Sequence, residues 1–313
     1  MAKYGKNLLL PFAVLLSFFP LLDPLEIFSD LKTTSFDTFQ TIFPRPKLEE
    51  DPVIIVDIDD ESLQKIGQWP WSRDVLASLT DQTQLAAATA FDIVFAEPDR
   101  TGSSQLQKIY SNDEALVEIL ARTVDHDDVF AQSIANHGTV VLGLAPNNKT
   151  ENQNYLGKHG MVIQGDDPKL FVQPYIGMQN NLNILESESA GLGSMSIGND
   201  DVIVRTLPSF ENINGSLVPS LALEIVRVAI GASTYQVKSS NASSEQAFGE
   251  NTGINHVKLG SLIMPTNADG SFWLYPTKSN NLSVLPAWQV IEGVVDPYYF
   301  EGKVVIVGTS ASG

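Results

Sequence analysis

Short unbroken runs of apolar residues recur along the chain, and stretches with helical spacing separate them. Unbroken runs are typical of strands buried on both faces of a parallel sheet, and four are present: 53–59 (VIIVDID), 88–95 (ATAFDIVF), 139–144 (TVVLGL) and 303–307 (KVVIV). After Ser72, a favourable N-cap, Val75, Leu76 and Leu79 recur at helical spacing. The pattern predicts an α/β fold with a largely parallel central sheet, helices on both faces, and these four strands as neighbours.

The first 24 residues have the pattern of a membrane anchor. Lys3 and Lys6 precede an apolar run, 8–22, that stops at Asp23. We expect residues 1–24 to be a retained anchor helix, with the N-terminus in the cytoplasm and the rest of the chain outside. A cleavable signal peptide also fits the apolar length but lacks a small-x-small site, and a buried helix of a cytosolic domain fits the flanking charges less well.

The next segment, 25–50, is predicted to be a stalk. Its apolar residues fall three and four positions apart, which indicates one amphipathic helix or two short ones, and a Pro-Arg-Pro sequence at 44–46 ends it. The remaining chain, 51–313, forms the main domain. Because the run at 303–307 leads into a glycine turn at the last residue, we expect a further module to follow residue 313.

Charge and composition exclude several classes of protein. The chain has 313 residues, 43% of them hydrophobic, and its 37 acidic against 19 basic side chains give a formal net charge of −18. This charge repels phosphate backbones, so the sequence predicts no binding to nucleic acid. Without cysteine there is no disulfide, thiolate metal site or thiol catalysis. The four histidines, His126, His137, His159 and His256, lack metal-ligand spacing and are expected on the surface.

Asp57 and Asp59 follow the first strand directly, at the end of the sheet where ligands bind in open α/β folds. This spacing resembles haloacid-dehalogenase-like hydrolases, which would imply a magnesium-dependent phosphohydrolase with Asp57 as nucleophile and Asp59 as acid/base. Glu61 stands where that family has Thr or Val, and its later motifs are missing. The alternative is that Asp59 and the acidic residues after it cap the following helix.

A second group of residues surrounds Trp69, Pro70 and Trp71, directly before the predicted helix. With Arg73, and with Asp92 and Glu97 after the second strand, these residues are predicted to form one corner at the carboxyl ends of the first two strands. The tryptophans could stack on a ligand, but large aromatic side chains more often seal a core. The favoured interpretation is therefore structural, with Arg73 paired to Asp92 or Glu97.

Five segments in this order resemble the type-two CHASE domain, a sensory extracellular domain associated with cyclases and histidine kinases. They are VIIVDIDDESLQKIGQWPWSRDVLASL, AFDIVFAEPD, NDEALVEILA, GNDDVIVR and FEGKVVIVGTSASG. The resemblance covers about residues 30–313. It implies a non-catalytic extracytoplasmic sensor without a cofactor, held in the inner (plasma) membrane by the N-terminal helix, in the periplasm or outside the cell.

The resemblance also implies a larger signalling protein. In that family a cytoplasmic adenylate or guanylate cyclase or a protein kinase follows in the same chain. The partners expected are therefore this output module, an unknown extracytoplasmic ligand and a second copy of the chain. Two features depart from the family: the Asn/Ser-rich insertions, and Asn199-Asp200-Asp201 in the GNDDVIVR turn. No ligand contact at that turn can be carried over.

Overall fold

A computed structural model describes residues 27–46, 48, 50–149, 154–198, 203–242, 252–277 and 282–311. The helices in this part of the chain are α1 (Ile27–Ile42), α2 (Asp60–Ile66), α3 (Arg73–Gln82), α4 (Ser103–Ile109), α5 (Glu114–Ala121), α6 (His126–His137), α7 (Asn183–Glu188), α8 (Leu221–Ala229) and α9 (Ala287–Ile291).

The strands follow the same chain order. They are β1 (Val53–Ile58), β2 (Ala88–Phe91), β3 (Val140–Asn147), β4 (Gly160–Gln164), β5 (Pro174–Tyr175), β6 (Gly177–Gln179), β7 (Gly191–Ser194), β8 (Thr206–Pro208), β9 (Phe210–Ile213), β10 (Ser216–Pro219), β11 (Thr234–Ser239), β12 (Ile254–Leu259), β13 (Leu262–Pro265), β14 (Ser271–Trp273), β15 (Ser283–Pro286) and β16 (Val304–Thr309).

The chain divides into two units, residues 1–48 with 275–281 and residues 49–274 with 282–313. In the first unit the predicted amphipathic segment forms one helix, α1, and the Tyr275 hydroxyl donates a hydrogen bond to the Phe43 carbonyl at 2.8 Å. The predicted anchor, residues 1–24, lies outside the described residues. Among the residues that are described, no helix combines the length and the apolarity that crossing a membrane requires.

The second unit is built on a seven-stranded sheet in the order β15-β1-β16-β2-β3-β6, with β7 also paired to β3. β1 pairs in parallel with β16, β16 with β2, and β2 with β3. The prediction that the four apolar runs are parallel neighbours is therefore confirmed. β6 is antiparallel to the end of β3, which makes the sheet largely and not wholly parallel.

Helices cover both faces of this sheet, as predicted. Side chains of neighbouring residues in a strand point to opposite faces of the sheet, so Ala90 and Phe91 of β2 face different layers of helices. Phe91 packs in a cluster with Leu76 of α3 and Ile134 of α6. Ala90 packs in another cluster with Ile225 of α8. The main core thus lies between the sheet and the α3/α6 layer.

Three smaller sheets were not predicted. They have the orders β13-β12-β11-β4, β10-β9-β5 and β14-β8, and all their strands lie between residues 160 and 273. Their strands are two to six residues long, and many of their side chains are partly exposed. Strands this short and this exposed give only a weak hydrophobic signal in a sequence.

A buried ion pair links the seven-stranded sheet to the four-stranded one. On α8, Arg227 donates two hydrogen bonds to the Glu224 carboxylate, from Nε at 2.9 Å and from Nη2 at 2.7 Å. Arg227 Nη2 also donates to the carbonyl of Ala190, the residue before β7, and the Tyr235 hydroxyl of β11 donates to Glu224 at 2.5 Å. Burial, followed by the charge of Glu224, raises the pKa of Tyr235. The pair is therefore fully hydrogen-bonded, which a buried charge requires.

The expectation that the histidines lie on the surface is wrong for His137. Its side chain is buried at the end of α6, where Nε2 lies 3.0 Å from both the Thr83 carbonyl and the Thr89 hydroxyl. Burial lowers the pKa of His137, so the neutral imidazole is favoured. The sequence did not reveal this because the partners lie about 50 residues away along the chain.

Candidate functional site

Two loops of the second unit line a cleft of about 700 Å³. The first loop joins α2 to α3 and contributes Trp69, Pro70 and Trp71, and the second follows β2 and contributes residues 93–101. Arg73, the first residue of α3, lies between them. The structure thus brings together Trp69, Pro70, Trp71, Arg73 and Glu97 of the predicted corner.

The two tryptophans differ in exposure. Trp71 is 4% exposed, packs in the main core, and donates from Nε1 to the Gly67 carbonyl at 2.7 Å. Trp69 is partly buried against Trp71, with the rings edge to face and their centroids 5.7 Å apart. Pro70, joined to Trp69 by a cis peptide bond, is exposed. Trp71 therefore closes the core beneath the cleft, while Trp69 and Pro70 form the cleft wall.

Arg73 is held from several directions. Its backbone N–H donates to the Asp99 carboxylate at 2.7 Å, and Nη2 donates to the Glu97 carbonyl at 3.2 Å. Nε lies 3.6 Å from Oδ1 of Asp127, and the guanidinium carbon lies 4.7 Å from the centroid of the Phe95 ring. Because the Arg73 side chain is only about a tenth exposed, these contacts fix it beneath the cleft.

The electrostatics of this group follow from burial. Burial lowers the pKa of Arg73 and raises that of Asp127, although each charge partly opposes the shift of the other. Nε of Arg73 and Oδ1 of Asp127 are 3.6 Å apart and form no hydrogen bond. The attraction between the two charges therefore does not outweigh the cost of removing them from water. Burial would also raise the pKa of Asp99, but hydrogen bonds from the N–H groups of Arg73 and Thr101 lower it below the ordinary value.

The prediction that Arg73 pairs with Asp92 is wrong, since within the described chain the carboxylate of its ion pair is Asp127. β2 ends at Phe91, and Asp92 is exposed just beyond the strand. Arg73 is the first residue of α3, and α6, which packs beside α3, supplies Asp127 in place of Asp92. The backbone N–H of Asp92 donates to the Val307 carbonyl of β16 at 2.9 Å.

Glu97 contacts Arg73 through its backbone carbonyl and not through its carboxylate. The Glu97 side chain is exposed, as is that of Arg100, which lines the same cleft. Within the residues that the structure describes, neither side chain has a hydrogen bond or ion pair. The cleft therefore presents one carboxylate and one guanidinium without partners.

Asp57 and Asp59 both have partners within the chain. The two carboxylate oxygens of Asp57 accept from the N–H and the hydroxyl of Ser310, at 2.9 and 2.6 Å. Asp59 is the N-cap of α2 and accepts from the Ser62 N–H at 2.8 Å, as the capping interpretation predicts. In the described part of the chain, no group of three or more His, Asp or Glu side chains is arranged to hold a metal ion.

Sequence reasoning missed Asp99, Asp127 and Arg100. Asp99 and Arg100 directly follow the Glu-Pro pair at 97–98, so a signal for them was present in the AFDIVFAEPD segment. Asp127 had no such signal, because an acidic residue in the first turn of a helix is explained by the helix dipole alone. Its role depends on α6 packing beside α3, which spacing along the chain does not show.

Comparison with known proteins gives one match. The family model described as CHASE2 domain matches residues 10–313. This match confirms the resemblance carried by the five sequence segments. No curated protein and no solved structure matches the chain significantly.

Proposed function

Because the chain belongs to the CHASE2 domain family, whose members are extracellular sensory domains of signalling proteins, we propose that it detects a ligand through the cleft beside Trp69 and Arg73. The family match over residues 10–313 carries this proposal. CHASE2 is non-catalytic, and the intrachain hydrogen bonds of Asp57 and Asp59 give no support to the phosphohydrolase alternative.

The position of the cleft supports its role as the input site. The second wall of the cleft continues directly from β2, and β2 lies beside β16, the last strand described in the chain. Beyond the paired residues, the Asp92 N–H reaches the Val307 carbonyl, and Asp57 of β1 binds Ser310 just after β16. A ligand that moves residues 93–101 would therefore act on the end of β16 through the backbone hydrogen bond between Asp92 and Val307.

The membrane topology and the output module of the protein are part of the same proposal. Residues 1–24 anchor the chain in the inner (plasma) membrane, residues 25–50 form the stalk, and residues 51–313 sense a signal in the periplasm or outside the cell. The signal passes to a cytoplasmic adenylate or guanylate cyclase or a sensor kinase in the same protein, which acts as a homodimer. The positive charges at Lys3 and Lys6 and the sequence resemblance support this orientation and this output.

Filling the cleft tests the proposal in the full-length protein in isolated membranes. Ala96 lines the cleft and is half-buried, so Ala96→Trp should occupy part of its volume. We expect this variant to change cyclase or kinase activity by about fivefold or more, because coupling between two sites is commonly of that size. Ala115→Trp, on the exposed surface of α5, is the matched control and should leave activity unchanged.

Two results would contradict the proposal. One is a full-length protein with neither cyclase nor kinase activity. The other is an Ala96→Trp protein that melts at the wild-type temperature and retains wild-type activity and regulation. The melting temperature separates a filled cleft from a misfolded domain, since a misfolded variant would lose thermal stability.

A further inference from the structure

The cleft has the dimensions and walls of a small-molecule site. Its volume of about 700 Å³ falls within the range that such sites occupy, roughly 300–1,000 Å³. Trp69, Pro70, Ile93, Val94 and Ala96 supply apolar walls, and each of them is at least partly exposed to solvent. A ligand with a sizeable apolar group would remove this surface from water.

The polar groups of the cleft narrow the class of ligand further. Four ionisable side chains line it: Arg73, Glu97, Asp99 and Arg100. Arg73 and Asp99 are already engaged within the chain, Arg73 with Asp127 and Asp99 as an acceptor of several hydrogen bonds. Glu97 and Arg100 are exposed and have no side-chain partner among the described residues. The charges available to a ligand are therefore one negative and one positive.

These two charges disfavour a ligand that carries a single charge. A simple anion that pairs with Arg100 would leave Glu97 unpaired in the same loop, and a simple cation would leave Arg100 unpaired. A chain with a net charge of −18 also repels anions at long range, whereas it does not repel a molecule without net charge. Complementarity of charge therefore favours a ligand with one group of each sign.

We propose that the cleft binds a free amino acid with a large apolar side chain. The ligand carboxylate pairs with the guanidinium of Arg100, the ammonium group pairs with the carboxylate of Glu97, and the side chain packs against Trp69 and its apolar neighbours. This inference rests on the proposed function, in which the cleft is the input site, and adds the class of its ligand.

Calorimetry on the full 313-residue chain in nanodiscs, with three probes, tests this assignment. L-Phenylalanine carries both charges, 3-phenylpropionate carries only the carboxylate, and 2-phenylethylamine carries only the amine. We expect L-phenylalanine to bind most tightly. Each partly exposed charge pair should contribute about fivefold in affinity.

Two charge-removing variants assign each charge separately. Glu97→Gln should weaken L-phenylalanine and 2-phenylethylamine but not 3-phenylpropionate, whereas Arg100→Gln should weaken L-phenylalanine and 3-phenylpropionate but not 2-phenylethylamine. The controls are Glu118→Gln and Arg122→Gln, which alter an exposed ion pair on and just after α5 and should change no affinity.

The assignment is wrong if L-phenylalanine does not bind, if a singly charged probe binds as tightly, or if the two variants fail to show opposite patterns. These results are separable from failure of the proposed function. If Ala96→Trp changes output while no probe binds, the cleft is the input site and the ligand class is wrong. If L-phenylalanine binds as expected while Ala96→Trp leaves output unchanged, the ligand class is right and the sensory role is wrong.

Discussion

Replacing Arg73 with alanine would leave the Asp127 carboxylate buried without its cation. The two side chains are 10% and 11% exposed, so the relevant comparison is a buried pair and not a surface pair. Breaking a buried pair by removing one partner costs about 3–5 kcal/mol. Nε of Arg73 and Oδ1 of Asp127 are 3.6 Å apart without a hydrogen bond. We therefore expect Arg73→Ala to lower the free energy of unfolding by about 3 kcal/mol, near the lower end of this range.

Urea unfolding followed by circular dichroism measures this loss. Adding Asp127→Asn, alone and in combination, completes a double-mutant cycle, which should give a coupling energy of about 1–3 kcal/mol. The matched control is Arg122→Ala, whose pair with Glu118 is 77% and 69% exposed and should contribute within about 0.5 kcal/mol.

The stability lost in Arg73→Ala should also depend on pH. The folded-state pKa of Asp127 is already above the ordinary value of 3.8, and removing Arg73 raises it further. A carboxyl with a raised folded-state pKa destabilises the fold above that pKa, and the cost disappears as protonation removes the charge. The deficit of Arg73→Ala should therefore shrink as pH falls from 7 toward the pKa of Asp127. A deficit below about 1 kcal/mol at pH 7, or one that grows on acidification, would refute this reasoning.

Three further variants test other parts of the structure. Gly191→Ala should lower the free energy of unfolding in urea by about 1–3 kcal/mol, because its new Cβ would lie 2.3 Å from Oε1 of Glu224. Gly308→Ala is the matched control and should be tolerated, because the nearest atom to its new Cβ is 3.9 Å away. Asp59→Ala should cost about 1 kcal/mol through loss of the α2 N-cap, and a neutral result would contradict that role. As pH falls below 6.5, the wild type should lose stability faster than His137→Gln, because His137 is protonated readily only in the unfolded chain. Parallel pH profiles of the two proteins would contradict a buried, neutral His137.

The sequence predicted those parts of the fold in which burial is continuous along the chain. The runs at 53–59, 88–95, 139–144 and 303–307 identified the central strands because both faces of each are covered, mainly by apolar side chains. The smaller sheets escaped prediction because their short strands are half exposed. Hydrophobic pattern alone gives only a weak signal for such strands.

The sequence also predicted several of the residues that line the cleft, but not the ion-pair partner of Arg73. Trp69, Pro70, Trp71, Arg73 and Glu97 were expected at one edge because they follow the first two strands of one β-α-β unit. They do line one cleft, although β16 lies between those two strands in the sheet. The partner of Arg73 was not predictable, because it depends on which helix packs beside α3. The packing of α6 beside α3 supplies Asp127 in place of Asp92.

Single-cysteine labelling shows whether the sensory domain lies outside the cytoplasm, because the chain has no cysteine of its own. Lys108→Cys places a thiol at an exposed position of α4, and Ser209→Cys places one at a fully buried position as a control. Intact spheroplasts are treated with a membrane-impermeant maleimide. We expect Lys108→Cys to be labelled in intact spheroplasts and Ser209→Cys only after denaturation. Labelling of Lys108→Cys that requires lysis would contradict an extracytoplasmic sensory domain.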